Sequence, residues 1–514
     1  MHLKYRVSRL FVWILGLVWV SPVVAQETSG EAAGGMSSIT SALNDHLGTV
    51  VGFLASILFQ DFGTGVPLII IVLVGGGVYY SFYFGWLSLR GFKHSIDVIR
   101  GRYDHPDHPG EISHFKALTS ALSATVGLGN IAGVAIAISL GGPGAVFWMI
   151  FTAFFGMASK LASCTLAVMY RQIHPDGRVS GGAMYYLEQG LGEKGMRSFG
   201  RTLAVLFALL TIGGSLGGGN MFQANQTIEI LGTLSQSFIT YNWMIGIIMA
   251  VFVAIVIIGG IKRIANVTSR IVPFMCGLYV LTSILIILSH ITEVPALIAN
   301  IISQAFTPEA AYGGFLGVLV NGVKRAAFSN EAGLGSAAFA HAAAKTDEPA
   351  RESMVAMIGP FIDTIVICLM TALVCMITGA YMLPEFQGAS DWVVGAKMTA
   401  AAFDSFIPGA RYVLAVAVTL FAYSTMISWS YYGERAWEYL FGMGSILVYR
   451  IIFVVFVWIG SVSALQNVLD FSDMMILGMA FPNIIGGVIL SPQIKAKLND
   501  YWARLKAGEM KMYK

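Results

Sequence analysis

Apolar residues run in long blocks along most of the chain, separated by short polar stretches. Eleven such blocks follow residue 60: about 66–87, 116–139, 145–170, 200–230, 240–260, 268–290, 313–343, 352–379, 410–433, 446–465 and 470–490. A helix of about 20 residues crosses the hydrocarbon core of a bilayer, so each block reads as a transmembrane span. Composition agrees. The 514 residues are 56% hydrophobic and 11% charged, with a mean hydropathy of +0.72. That leaves too few charges to cover a soluble exterior. The expected class is an all-α polytopic membrane protein with about 11 transmembrane helices.

Two blocks are interrupted. Residues 123–133, SATVGLGNIAG, put three glycines and an asparagine inside a span. Each glycine costs about 1 kcal/mol in a helix interior relative to alanine. Residues 329–336, SNEAGLGS, repeat the fault at an offset of 206. Ser123 falls on Ser329, and Gly127, Leu128 and Gly129 fall on Gly333, Leu334 and Gly335. The same offset carries Pro143 onto Pro349, each opening the next span. It carries spans 240–260 and 268–290 onto 446–465 and 470–490. Five spans per unit is an odd number, so the second unit lies inverted. Residues 116–295 form the first unit and 312–491 the second. Residues 61–115 hold an extra span and a loop, and 492–514 a basic tail. Inverted repeats with helices interrupted at equivalent positions are the mark of a secondary transporter with its site near the bilayer midplane.

Charge orients the spans. Basic residues fall on alternate loops: Arg90, Lys93, Arg100, Arg102 and Lys116; Arg171, Arg178, Lys194, Arg197 and Arg201; Lys262, Arg263 and Arg270; Lys345 and Arg351; Arg435 and Arg450; and the tail from Lys495 to Lys514. The intervening loops carry only Lys397 and Arg411 as exceptions. The positive-inside rule places the first set, and the C-terminus, in the cytoplasm. At the N-terminus, Lys4, Arg6 and Arg9 precede LFVWILGLVWV and then SPVVAQ, with small Val23 and Ala25 before a cleavage point. Residues 1–25 therefore read as a signal peptide, which puts the mature N-terminus outside a bacterial inner membrane. Residues 26–60 read as a polar segment ending in a candidate interfacial helix over 41–60.

Interrupting a helix frees backbone groups, tolerated in a membrane only where protein or a cavity satisfies them. At the first break, the amides of Gly127, Leu128 and Gly129 open a half-helix and suit a carboxylate. The carbonyls near Ser123, Thr125 and Val126 suit a small hard cation such as sodium. The second break offers the Phe328 carbonyl and ring, Ser329 and Asn330 to an ammonium group. Together these describe a small zwitterion held beside a cation. The plainer reading, close helix crossing through small residues, leaves the pairing of the breaks unexplained. GLGNIAG is not a dinucleotide fingerprint, because no strand precedes it.

Three stretches, TSALSATVGLGNIAGVAIAISLGGPGAVFWM, GVKRAAFSNEAGLGSAAFAHAAAKT and FAYSTMISWSYYGERAWEYL, resemble the alanine/glycine:cation symporter family over residues 45 to 495. The resemblance implies a LeuT-like five-plus-five inverted repeat. It implies import of a small neutral amino acid, alanine or glycine, coupled to sodium, with no cofactor beyond the coupling ion. It places Gln223, Phe328, Thr425 and Trp429 about the substrate, with Asn220 offered beside Gln223; the break residues Thr125, Gly127, Leu128, Gly129, Asn130, Ser329 and Asn330 complete the expected set. It places the carbonyls of Ser123, Val126 and Ala422 and the hydroxyl of Thr425 about one sodium. Met426 stands where related transporters often carry a hydroxyl, and Leu128 where family members can carry one. Asn130 is the candidate for a second sodium site, but 352–379 shows no evident polar partner for it.

Other ionisable groups within spans need a partner or a function. Lys160 and Asp363 occupy equivalent helices and are expected to form a buried structural pair. Lys324 and Arg325 either face the outer vestibule or pair with Glu331, Asp470 or Asp473. His341 is expected to pack. The four cysteines lie in apolar runs, with neither zinc nor disulfide spacing. HSIDVIRGRYDHPDHPGEISH could bind a metal, although a solvated loop is the plainer reading. The expected partners are an amino acid, sodium and membrane lipid, without nucleic acid. Proton coupling or exchange is the nearest rival. A channel and a membrane enzyme are rivals of other classes, and no HExxH or nucleophile–base constellation supports the enzyme.

Overall fold

The computed structural model describes residues 52–53, 55–307, 314–387, 392–462 and 466–513. The expected signal peptide and nearly all of the polar segment that follows it lie outside the described residues. Each of the eleven apolar blocks coincides with helix. After α1 (Leu68–Tyr83) and the short amphipathic α2 (Phe92–Ile99), the first repeat begins with a broken helix, α3 (His114–Thr125) and α4 (Leu128–Gly141), bent by 42°. It continues through α5 (Gly144–Met169), the short α6 (Ala183–Glu193), α7 (Arg197–Gly232), α8 (Asn242–Ile257) and α9 (Gly260–Ser289).

A peripheral helix, α10 (Val294–Gln304), leads to the second unit. This opens on α11 (Gly314–Asn330) and α12 (Ala337–Ala342), the second broken helix. Then come α13 (Pro349–Ile377), the short α14 (Trp392–Phe406), α15 (Ala410–Phe441), α16 (Ile446–Val462), and α17 (Gln466–Gly478) with α18 (Ala480–Ile489). A final basic helix, α19, spans Ser491–Lys506. After each break a long helix, a short one and a second long one recur in the same order, so that α6 and α14 correspond. The architecture is the expected all-α five-plus-five repeat preceded by one further helix.

Among the described residues, seven helices are long and apolar enough to span a membrane by themselves, or eight when α3 and α4 count as one. The sequence reading expects eleven. The difference has a physical source: α1 and α8 are 16 residues each, and α11 stops at its break after 17 described residues.

Packing places both breaks at the centre. Helix α4 lies against α11, and α3 against α9 and α15. Helix α5 packs on α11 and α13. In α7, the run GGGNM at Gly217–Met221 widens into a π turn. Its bare backbone accepts close neighbours: a Cβ at Gly219 would overlap Trp429, and one at Gly217 would overlap Ser472. Bulky side chains elsewhere on the α7 surface could not approach α15 and α17 so closely.

At one end of the bundle, Arg171, just past α5, ties several segments together. Its guanidinium donates to the carbonyls of Ala342 (2.8 Å), Ala344 (2.6 Å), Pro109 (2.9 Å) and Thr346 (2.5 Å). Carbonyls freed at the end of α12 are thereby satisfied and the bundle is closed at that end.

Candidate functional site

The two breaks are built differently. In the first, Val126 turns out of the helix at φ −74°, ψ 97°, and Gly127 is extended. The Val126 amide still bonds the Leu122 carbonyl at 2.7 Å, but the Gly127 amide turns to Asn130 Oδ1, so the carbonyl of Ser123 is released. The second break runs over six residues, Glu331 to Ser336. Glu331, Gly333 and Gly335 all have positive φ, at 54°, 86° and 87°. Glycine adopts this region freely, whereas a residue with a Cβ pays about 1–2 kcal/mol. Glu331 is therefore held there by its surroundings.

A cavity lies between the breaks. It is lined by Ala124, Thr125, Gly127, Leu128, Gly129, Gly218, Gln223, Phe328, Glu331, Thr425, Trp429 and Ile476. Its volume is ≈ 20 Å³, space for about one or two water molecules. The pocket is thus described in a contracted form. Eight of the eleven residues expected about the substrate line this cavity or, for Gly127 and Thr425, also touch the cation side. A Cβ on Gly129 would stand 3.1 Å from the Ser329 Cα, so glycine there lets the breaks meet.

Gln223 carries an informative imbalance. It is buried, its Nε2 donates to the Gly218 carbonyl at 3.0 Å, and its Oε1 has no hydrogen-bond partner among the described residues. A buried acceptor without a donor costs about 1–3 kcal/mol, which a bound ammonium group would relieve. On the opposite side, Leu128 and Gly129 are the first residues of α4. Their amides have no acceptor within that helix and lie at its positive end.

Asn130, Ser329 and Asn330 do not line the cavity. They form a buried network behind it. Asn130 accepts from the Gly127 amide at 2.8 Å, which withdraws that amide from any ligand. Its own amide donates to Ser329 Oγ and to the Asp363 carbonyl, both at 3.1 Å. Ser329 donates to Asp363 Oδ1 at 2.6 Å, and Asn330 to Thr364 Oγ1 at 2.9 Å. Their polar groups are spent on joining α4, α11 and α13, which corrects their expected contact with substrate. Asp363 and Thr364 are also the polar partners in 352–379 that the sequence left unseen, because the π-helical stretch Phe361–Cys368 shifts which residues face inward. Asn220 likewise turns away, donating to the Phe453 carbonyl at 2.7 Å.

Two members of the expected sodium set meet directly: Thr425 Oγ1 donates to the Ser123 carbonyl at 3.1 Å. Ser123 Oγ in turn donates to the Ser424 carbonyl at 2.7 Å. Ser424, missed in the sequence, brings its hydroxyl within 3.5 Å of the same Ser123 carbonyl. It supplies the hydroxyl that Met426, fully buried nearby, lacks. Oxygen atoms from an unwound helix end and a facing hydroxyl suit a hard monovalent cation. Val126 and Ala422 are buried on the same two elements.

The isolated charges sort differently from expectation. Lys160 forms no ion pair among the described residues, but stands within electrostatic reach of both Glu331 and Asp363. A simple Lys160–Asp363 pair is therefore replaced by one cation shared between two carboxylates. Lys324 and Arg325 interact with Asp473 rather than Glu331, and the Lys324 ammonium lies 4.5 Å from the centre of the Phe59 ring. His341 does more than pack: its Nδ1 is 2.5 Å from Glu352 Oε1, and Glu352 also binds His114. No group of three or more metal-ligating side chains occurs among the described residues, so the histidine-rich loop assembles no such site there.

Four lining residues escaped sequence reasoning, Ala124, Gly218, Glu331 and Ile476, and Glu331 is the charged one. Its placement depends on a left-handed backbone that no local pattern announces; the cue was a charged residue inside a span, beside the glycines.

Comparison with known proteins shows the family. The model of the sodium:alanine symporter family matches residues 44–514. The sodium/alanine symporter AgcS of Methanococcus maripaludis is 42% identical over 83% of this chain and 92% of its own length. The probable sodium/glutamine symporter GlnT of Bacillus subtilis is 35% identical over 86% of this chain and 89% of its own. A crystal structure of MhsT with L-phenylalanine aligns over 76% of this chain with a TM-score of 0.49 at 14% identity. The chain belongs to the sodium:alanine symporter family and is a multi-pass, sodium-coupled amino-acid transporter rather than an enzyme.

Proposed function

We propose that the protein imports alanine or glycine together with sodium by alternating access. The observation that carries this reading is the small cavity between the breaks. Leu128, Phe328, Trp429 and Ile476 bound it on the apolar side, the first amides of α4 would suit a carboxylate, and the unpartnered Gln223 Oε1 would suit an ammonium. At ≈ 20 Å³ the cavity must widen to admit any amino acid, and its apolar walls favour a hydrogen or a methyl side chain over a larger one. The name of the 42% identical relative supports alanine, and the name of another relative, glutamine, marks the alternative that a wider pocket would favour.

Sodium would lie on the oxygens of Ser123, Val126, Ala422 and Thr425, beside the substrate site through Gly127, whose Cβ position lies 3.0 Å from Thr425 Oγ1. One ligand orders the break that the other needs, so each raises the affinity of the other. The protein works in a bacterial inner membrane with its mature N-terminus outside and its basic tail in the cytoplasm. The inside-negative potential then contributes about 2.3 kcal/mol per sodium per 100 mV. Rocking of the broken helices with α5 and α13 against the remaining helices alternates access. Uptake of labelled alanine into proteoliposomes tests the reading. A sodium gradient is expected to drive accumulation that excess glycine abolishes. Equal uptake in potassium alone would overturn the coupling, and uptake of glutamine without alanine would overturn the substrate.

A further inference from the structure

Trp429 bounds the cavity with an indole whose single polar atom, Nε1, is a donor only. It donates to Glu331 Oε1 at 3.1 Å. The other carboxylate oxygen of Glu331 accepts from Ser336, which opens the inner half of the second broken helix. Glu331 is buried, lines the cavity, and makes no ion pair among the described residues. Its two hydrogen bonds therefore join a wall of the pocket on α15 to the helix end that must move when the inner gate opens.

The rest of the indole is hemmed in. Gly219 lies against its base, Tyr432 meets it edge-on with ring centres 5.4 Å apart, and the Trp429 carbonyl accepts from Ser215 at 2.7 Å. Lys160 reaches Glu331 electrostatically from α5, and its ammonium fits under Gly359, where a Cβ would stand 3.1 Å from Nζ. A left-handed backbone, two directed donors and a nearby cation all hold this one carboxylate in place.

We infer that Glu331 is a specificity-determining positioning residue, which ties the position of the Trp429 indole to the conformation of the Ser336 helix end. A substrate side chain small enough to leave the indole in place leaves the link intact, and the inner half-helix can close and open with the cycle. A larger side chain displaces the indole, breaks the link and stalls the cycle. Size selection then follows from the link as well as from pocket volume. This rests on the amino-acid transport reading above.

The test is competition in proteoliposomes: uptake of labelled alanine against unlabelled glycine, alanine, valine and leucine, read as the ratio of leucine to alanine inhibition constants. Glu331→Ala and Ser336→Ala are each expected to lower that ratio by about tenfold or more. Glu331→Gln keeps an acceptor for the indole and is expected to stay near the native ratio. Trp429→Phe removes the donor, so adding Glu331→Ala to it is expected to change the ratio no further, as in a double-mutant cycle between linked groups. A merely structural role would lower the amount of active protein equally for all four amino acids. Ratios within about twofold of native in both alanine variants, or additive effects in the double variant, would overturn the inference. Should Glu331→Ala fail to fold, Ser336→Ala and Trp429→Phe decide it. Failure of the native protein to take up alanine would overturn the substrate reading instead, and the same ratio taken on whichever amino acid is transported would still test Glu331.

Discussion

The two broken helices occupy equivalent places in the repeat, share a GLG sequence, and do opposite jobs. The first break is short. It turns at Val126 and Gly127, keeps φ negative, and contributes backbone: amides of Leu128 and Gly129 on one side, the Ser123 carbonyl on the other. The second is long, uses three positive-φ residues, and contributes a side chain, the carboxylate of Glu331. Repetition therefore preserved the place of the fault while its chemistry diverged. The backbone break suits what is common to every substrate, its carboxylate, and the coupling ion that is bound beside it. The side-chain break suits discrimination among substrates.

The comparison can be broken most severely at the glycines. Gly335 sits at φ +87°, and a Cβ there would meet the Asn483 side chain at 2.8 Å. Gly335→Ala is expected to destabilise the protein by about 2 kcal/mol or more and to abolish uptake. Gly127 has neither problem beyond its 3.0 Å approach to Thr425 Oγ1. Gly127→Ala is expected to fold with a near-native thermal midpoint but with weakened sodium dependence. Equal losses of thermal stability in the two variants would erase the distinction between the breaks.

A smaller effect is expected at Gln223. Losing one charge-assisted hydrogen bond of about 2 kcal/mol predicts roughly a 30-fold rise in the alanine dissociation constant of Gln223→Ala, without loss of folded protein. Unchanged affinity would mean that the free Oε1 faces no ammonium. Thr425→Val, of the same shape without the hydroxyl, is expected to raise the sodium concentration for half-maximal uptake by about fivefold to tenfold. The alanine constant at saturating sodium should move less, which separates the two halves of the site.

The mildest prediction lies far from either break and serves as a control. His94 on α2 bonds the Tyr501 hydroxyl at 2.7 Å, and burial holds its pKa down at about 4. The folded state keeps this imidazole neutral where the unfolded chain, near pKa 6.5, would protonate it. Its contribution to stability is therefore full above pH 6.5 and is lost as pH falls from 6.5 toward 4. His94→Asn should flatten the thermal midpoint against pH in that window, with sodium coupling at neutral pH unaffected. A wild-type pH slope in the variant would remove His94 as its source.

Much of this is legible in the sequence. Each apolar block falls on helix, although only seven or eight of the described helices are of membrane-spanning length, and the shared GLG motif exposes the repeat. The resemblance to a known family pointed to Gln223, Phe328, Thr425 and Trp429, all of which line the cavity. What escaped depends on facing rather than on composition. Asn130, Ser329 and Asn330 flank the breaks in sequence, yet the bend turns their side chains toward α13 and away from the cavity. The π stretch of α13 brings Asp363 into register with them, and a 3.6-residue period cannot foresee that. Ser424 and its neighbour Thr425 both reach the Ser123 carbonyl at the helix crossing, which a motif centred on Thr425 alone does not indicate. Short helices such as α6 and α14, of 11 and 15 residues, are too short to read as spans, although their equivalence extends the repeat.

The central claim is that one broken helix holds the carboxylate and the coupling ion together. Equilibrium binding of labelled alanine to the purified protein, measured in sodium and in an equal concentration of potassium, tests this most directly. The account predicts at least about a fivefold lower dissociation constant in sodium, the lower bound of a typical coupling energy, and loss of that difference in Thr425→Val. The same alanine affinity in both salts would contradict it.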